Sequence, residues 1–420
     1  MPYGLVIKAV GKTMRIRFEN CTLFDGLSDS AHSGMHVFIA DGRIEEVSET
    51  ALTGNADLVV DATGKTLMPG LIDAHVHITA ATPNLAALEA MPVSYVSHWT
   101  ARNLGEMLDR GFTTVRDVGG GDAGHRRAQE EGMIRGPRLS VSGKALGQTG
   151  GHTDFRGTAR TDIGDLQRRH TPGLGRIVDG IPACLSAARD ELRLGADFIK
   201  IMANGGVATP ADPIDWIQFT PEEVRAIVTV AEASCTYVAA HTYTAKAIEH
   251  AAVNGVRTLE HCNLIDDRVA GILRDRGCFA VPTLVIYDCL DRHADAIGLG
   301  PENRSKNRLV RDAGLASLEI LARAGVPMGY GTDLLGWMHE DQLTEFSLRA
   351  QVLPAAEVLK SATSVNAQLI RRDDLGVIAP EKTADLVLID GDPLTDISVL
   401  SGDGERVEMV VQAGQIVKSP

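Results

Sequence analysis

Six side chains in the middle of this chain are of types that hold metals and move protons: His75, His77, Lys200, His241, His261 and Asp333. His75 and His77 fall in Asp73-Ala74-His75-Val76-His77, where a period of two puts both imidazoles on one side of a strand end, within reach of one cation. Lys200 stands inside the apolar run Phe198-Ile199-Lys200-Ile201-Met202. His241 ends the run Val238–His241, His261 ends Thr258–His261, and Asp333 follows Gly331-Thr332. Alone, each has a plain reading as a capped core histidine, a lysine reaching for solvent or an aspartate starting a helix. Together, each at the end of a strand or inside one, they describe a metal centre. Its chemistry would be hydrolysis, because bound cations lower the pKa of water from about 15.7 to about 7.

Elements of the right kind exist to bring them together. Strand-like runs occur at Leu71–Ile78, Thr113–Val118, Arg138–Gly143, Phe198–Ala203, Tyr237–His241, Thr258–His261, Phe279–Leu284 and Met328–Thr332. Helical patterns separate most of them, such as Ala183–Leu194, Pro221–Ala233 and Ala245–Asn254. Thr220-Pro221-Glu222-Glu223 carries an N-cap, a proline at the first helical position and acids in the first turn. Eight strands alternating with helices predict an α/β chain with a (β/α)8 TIM-like barrel over residues 70–370. Such barrels carry their chemistry on the C-terminal rim of the strands, where all six residues would meet. The two ends of the chain are rich in short strands and turns. They predict one small β-sandwich domain built from residues 14–69 and 371–420. The irregular stretch Gly147–Gly180 reads as a functional loop, and a second loop is expected over Tyr287–Arg308.

The set resembles the amidohydrolase superfamily, in its subtype with two metals bridged by a carboxylated lysine. The likeness extends over the Met68–Asp73 lead-in and the closing Ala384–Val387 strand. Gly150-Gly151-His152, His241-Thr242-Tyr243 and Leu259-Glu260-His261 are similar to the prolidase-like and carboxypeptidase-like branch, and to bacterial amidohydrolases that split ochratoxin A. The resemblance implies that His75, His77 and Asp333 hold one zinc, that His241 and His261 hold the other, and that a carbon dioxide-derived carbamate on Lys200 joins them. Manganese or cobalt could replace zinc at such nitrogen and oxygen ligands. It implies Asp333 as the group that takes a proton from water and returns it to the leaving amine. Tyr243 and His152 are expected beside the substrate, as binding and catalytic groups. The activity implied is cleavage of the amide bond to a C-terminal amino acid in dipeptides or N-acyl and N-aroyl amino acids. Ochratoxin A, giving ochratoxin alpha and phenylalanine, is one candidate substrate. A one-metal deaminase or a cyclic-amide or lactone hydrolase of the same superfamily is the alternative. The deaminases, however, place His-x-x-Glu where this chain continues His241-Thr242-Tyr243-Thr244.

Composition agrees with a cellular enzyme. The 420 residues carry 41 basic and 55 acidic side chains, a net charge of −14 that speaks against a nucleic-acid or anionic-membrane partner. Six scattered cysteines without a Cys-x-x-Cys pair fit free thiols in the cytoplasm. The first residues lack the pattern of a signal peptide. The resemblance implies a homo-oligomer, as large as an octamer. Arg116 and Asp117, adjacent at a strand end, are expected to form an internal ion pair. Gly11-Lys12-Thr13, Gly64-Lys65-Thr66 and Gly119-Gly120-Gly121 lack the spacing of nucleotide-binding loops and read as turns.

Overall fold

The computed structural model describes residues 14–156, 172–209 and 212–420. Both ends of the chain enter one sheet. Its strands run in the order Gln415–Lys418, Val407–Gln412, Leu386–Asp390, Lys65–Pro69, Ile16–Leu23, His32–Ala40 and Arg43–Ser48, with Leu58–Asp61 also paired to Ile16–Leu23. The two termini meet where Leu386–Asp390 pairs antiparallel with Lys65–Pro69. Alternation divides the two faces of this sheet. Leu67, Leu386 and Leu388 pack with Ile16, Phe18 and Val37 in a core of the sheet's own. Their neighbours Met68, Val387 and Ile389 turn the other way, onto Leu104, Met107 and Leu108 of the Val93–Asp109 helix.

Two parallel sheets fill the middle. One holds Leu71–Val76, Phe112–Asp117 and Arg138–Val141. The other runs Gly175–Ile177, Ala145–Gly147, Ile199–Met202, Val238–Thr244, Thr258–Leu264 and Phe279–Val281. Leu71–Val76 and Phe112–Asp117 are buried at every position, as parallel strands covered on both faces must be. Helices lie between most of the strands, among them Ile181–Arg193, Pro221–Ala233, Ala245–Val253 and Asp267–Asp275. The expected start at Thr220 is a full capping box: Thr220 Oγ1 accepts from the Glu223 amide and the Glu223 carboxylate accepts from the Thr220 amide. Such a cap stabilises a helix by about 1 kcal/mol.

Three expectations need correction. The last strand, Met328–Thr332, is not a regular strand, yet it bonds to both sheets. The Ala280 amide donates to Pro327, the Gly329 amide to Ala280, the Ala74 amide to Tyr330 and the Asp333 amide to His75. Close packing explains its glycines, since a Cβ on Gly331 would sit 2.6 Å from Val281 Cγ1 and 2.7 Å from His75 Cβ. The expected loop over Tyr287–Arg308 is largely helical, with Val285–Arg292 and then Pro301–Ala324 entered through Pro301 at the first helical position. Arg116 and Asp117 do not pair, because successive strand residues face opposite ways. Arg116 pairs with Glu260 at 2.8 Å, while Asp117 accepts from the amides of Ile78, Gly119 and Gly121. Of the Gly147–Gly180 stretch, residues 157–171 lie outside the described residues, as does Gly11-Lys12-Thr13.

Candidate metal centre

All six residues line one cavity of about 60 Å³, together with His152, Thr153, Phe155, Leu85, Leu174, Met202 and Leu335. His75, His77 and Asp333 come close enough to share one ion, with a ligand atom of each within 4.8 Å of the others. Asp333 Oδ1 lies 3.3 Å from His75 Nε2 and 3.2 Å from His77 Nε2. The rings of His261 and His75 are 4.7 Å apart, and those of His241 and His261 4.6 Å. A larger cavity of about 430 Å³, beside His125, Lys144 and Glu191, is lined by none of these residues.

The backbone is bent to make this fit. His261, Cys262 and Asp333 have φ of +72°, +57° and +57°, a left-handed conformation that L residues adopt only when their surroundings impose it. At His261 the bend breaks strand alternation, so Glu260 reaches His75 while His261 faces the cavity. Asp73 ties the first strand end to its neighbours. One carboxylate oxygen accepts from the His75 amide, the other from Thr332 Oγ1 and Gln342 Nε2.

Each histidine is held by the nitrogen it does not show to the centre. His75 Nδ1 bonds Glu260 at 2.8 Å, His77 Nδ1 the Gly119 carbonyl at 2.9 Å, and His261 Nδ1 the Thr283 hydroxyl at 2.8 Å. For His241 it is Nε2, 3.3 Å from the Gly205 carbonyl. His75 Nε2 is buried and turned to the centre, 3.3 Å from Asp333 Oδ1 but outside hydrogen-bond geometry, which leaves its lone pair available to a cation. This donor set, imidazoles with second nitrogens anchored and a carboxylate at the focus, fits a divalent metal.

Electrostatics agree. Burial favours loss of the Asp333 charge, but His75, His77 and His261 more than offset it and hold the carboxyl well below the carboxylate range. Burial, then crowding by His152, His261 and Lys200, keeps His241 well below the usual histidine range, and His261 is shifted the same way. Burial brings Lys200 down to about 8.

The two substrate-contact candidates stand beside the ligands. His152 stacks on His241 with ring centroids 4.2 Å apart, and its Nδ1 is held by Thr209 Oγ1 at 2.7 Å and Asp212 at 3.2 Å. Tyr243 sits edge-on to His241 at 4.7 Å and accepts a 3.0 Å hydrogen bond from the Tyr287 hydroxyl. Gly206 is the contact that fixes His152: a Cβ there would lie 1.8 Å from the imidazole Cε1. Gly206→Ala is therefore expected to push His152 off His241 and lower kcat/KM by on the order of 10²-fold, the usual cost of an ångström's misplacement. Unchanged kinetics in a folded G206A protein would remove His152 from the site.

Glu260, Asp117, Gly119, Thr283 and Asp212 escaped the sequence reading as holders of the site. Asp117 and Gly119 were seen only as an ion-pair member and part of a turn. Glu260 was visible only as a residue beside a candidate ligand.

Strand-end histidines and a carboxylate around one cavity, on parallel strands spaced by helices, define a class of α/β hydrolases. The chain belongs to the amidohydrolase family, whose model matches residues 66–417, and it is a hydrolase acting on C–N bonds. It is 30% identical over 370 residues to the ochratoxinase of Aspergillus niger, covering 84% of this chain and 76% of that one. The crystal structure of that ochratoxinase superposes with a TM-score of 0.86 at 25% identity, over 98% of this chain and 97% of that one. A prolidase solved with N-methylphosphonate-L-proline gives a TM-score of 0.94 at 44% identity, over 97% of this chain and 100% of the other. A Xaa-Pro dipeptidase with bound methionine gives 0.84 at 28%, over 96% and 99%. Among the described residues no helix is long and apolar enough to cross a membrane.

Proposed function

We propose that this chain is a binuclear zinc-dependent amidohydrolase that cleaves the amide bond to a C-terminal amino acid, in dipeptides or in N-acyl and N-aroyl amino acids. The observation that carries the reading is the meeting of His75, His77, Lys200, His241, His261 and Asp333 around one cavity, with the second nitrogen of every histidine anchored. In this reading the two parallel sheets and the 328–333 segment form a (β/α)8 barrel over residues 70–370. Residues 14–69 and 371–420 are the composite β domain. His75, His77 and Asp333 would hold one ion and His241 and His261 the other, with Lys200, as a carbamate, supplying an anionic ligand to both.

When bound, the two ions would supply hydroxide near neutral pH and polarise the scissile carbonyl. The rest falls to the chain. Lys200, with its ordinary basicity reduced by burial, offers a neutral amine to carbon dioxide; the N–C bond forms and a proton leaves to solvent. Asp333, held ionised by its histidines, takes the proton of the attacking water and delivers it to the amine that departs. Tyr287 donates to the Tyr243 oxygen, which leaves the Tyr243 proton to donate to the carbonyl oxygen of the substrate. His152, backed by Asp212, faces the carboxylate of the leaving amino acid. Leu85, Phe155, Leu174 and Leu335 give the cavity an apolar side suited to an aromatic or aliphatic group.

The likeness to a prolidase, a Xaa-Pro dipeptidase and an ochratoxinase supports this substrate class, and ochratoxin A belongs in the first screen. An N-acyl amino acid and its C-terminal amide, compared on zinc-loaded protein, test carboxylate recognition. Removing the charge leaves buried donors unpaired, at about 1–3 kcal/mol. That corresponds to roughly tenfold to a hundredfold in kcat/KM. Equal kcat/KM for the pair would reject carboxylate recognition and favour a broad amidase.

A further inference from the structure

One member of the ligand set is held differently from the others. His77, His241 and His261 are anchored by uncharged groups: two backbone carbonyls and the Thr283 hydroxyl. His75 is anchored by a carboxylate, Glu260, which is fully buried. Glu260 is itself gripped from the far side. Arg116 Nη2 donates to both its oxygens, at 2.9 and 2.8 Å, and Thr258 Oγ1 donates to Oε1 at 2.8 Å. Arg116 is also fully buried. Its Nε donates to the Ala74 carbonyl at 2.6 Å, its Nη1 to Thr258 Oγ1 at 3.1 Å, and its plane lies 5.2 Å over the Phe198 ring. The array reaches across three strands and ends on one imidazole nitrogen.

We propose that Glu260 is a positioning residue that sets the tautomer and the donor strength of His75, with Arg116 holding Glu260 in place for that task. A carboxylate bonded by Arg116 and Thr258 can only accept from His75, so the imidazole proton sits on Nδ1 and Nε2 faces the centre bare. An anionic acceptor behind a metal-binding imidazole also makes it a stronger donor than a carbonyl or hydroxyl would. The guanidinium keeps the carboxylate from drawing the proton across, because it stabilises the charged form. The inference rests on the metal-centre reading above and adds to it an asymmetry between the two ions. The one bound through His75 depends on Glu260; the one bound through His241 and His261 does not.

The test is competition of zinc against a chelator on wild-type and Glu260→Gln protein, with the number of bound ions counted for each. Glu260→Gln should weaken one of the two ions by 10–100-fold, the usual effect of losing such an outer partner, and leave the other unchanged. Saturating zinc should then return kcat toward the wild-type value with KM unaltered, which a defect of packing would not do. Equal zinc affinity in the two proteins overturns the inference. Should Glu260→Gln fail to fold because Arg116 is left unpaired, the neutral pair Arg116→Met with Glu260→Gln takes its place under the same criterion. The wild-type protein gives a measurement free of substitution: in nitrogen-15 spectra of the zinc-loaded chain His75 should carry its proton on Nδ1 and meet the ion through Nε2, and the reverse arrangement overturns the inference. A wild-type chain that binds no zinc would sink the metal-centre reading itself, an outcome separate from equal affinities.

Discussion

Lys200→Ala is expected to abolish metal binding and hydrolysis together. The wild-type chain should hold about two ions and the variant fewer than one, with kcat lowered beyond the 10²–10⁴-fold typical of one lost proton-transfer group. The reason lies in the surroundings of the residue. Lys200 is 1% exposed, in a strand buried at every position, and it faces the cavity lined by five histidines and Asp333. An ammonium group there would repel two cations, whereas a carbamate supplies two anionic oxygens to them. The metal-stripped protein offers a second measurement. Burial lowers the folded-state pKa of Lys200 to about 8 from an ordinary 10.5, so between those values the unfolded chain binds more protons than the folded one. Stability of the stripped wild type should therefore rise as pH goes from about 8 to about 10.5, and Lys200→Ala should lose that rise. Intact mass showing an unmodified lysine in active, zinc-loaded protein would refute the carbamate.

Asp333→Asn is expected to lower kcat by 10²–10⁴-fold, because an amide can neither accept the proton of water nor pass it to the leaving nitrogen. Asp333 Oδ1 sits between His75 and His77 at 3.3 and 3.2 Å, on a left-handed residue whose amide is tied to the His75 carbonyl. The backbone thus aims the carboxylate at the centre before substrate arrives. Its histidine neighbours outweigh burial and favour the carboxylate over the acid, so it meets the attacking water ionised. A D333N protein that keeps both ions and a near-native kcat would show that the proton travels by another route.

Much of the site was legible because its residues obey short-range rules. His75 and His77 share a face because strand side chains alternate, and both do line the cavity. Pro221–Ala233 matches the predicted helix residue for residue, since its start lies in local capping chemistry. Those rules fail where backbone leaves the regular regions. The 328–333 segment bonds on both sides without forming a regular strand, as Gly329 and Gly331 let neighbouring side chains approach too closely for an ordinary residue. Tyr287–Arg308 reads as a loop in the sequence, yet Val285–Arg292 buries Val285, Ile286, Tyr287, Cys289 and Leu290, and Pro301–Ala324 opens on a proline. Packing of Pro301–Ala324 against the Thr258–Leu264 strand, and of the two helices against each other, decides the outcome.

By itself the sequence determined which side chains could do chemistry, the alternation of strands and helices that places them at strand ends, and the strand-rich character of both ends of the chain. These follow from residue type and from periods of 2 and 3.6, which are properties of neighbours in the chain. The tertiary structure alone decided the groups behind the ligands. Arg116 turned from its neighbour Asp117 to Glu260, 144 positions away, and Asp117 turned to the amides of Gly119 and Gly121 in the loop that follows it and to the Ile78 amide beyond the Leu71–Val76 strand. A buried charge must find a partner, but any partner that folding brings within about 3 Å will serve. Spacing along the chain therefore carries no record of that choice.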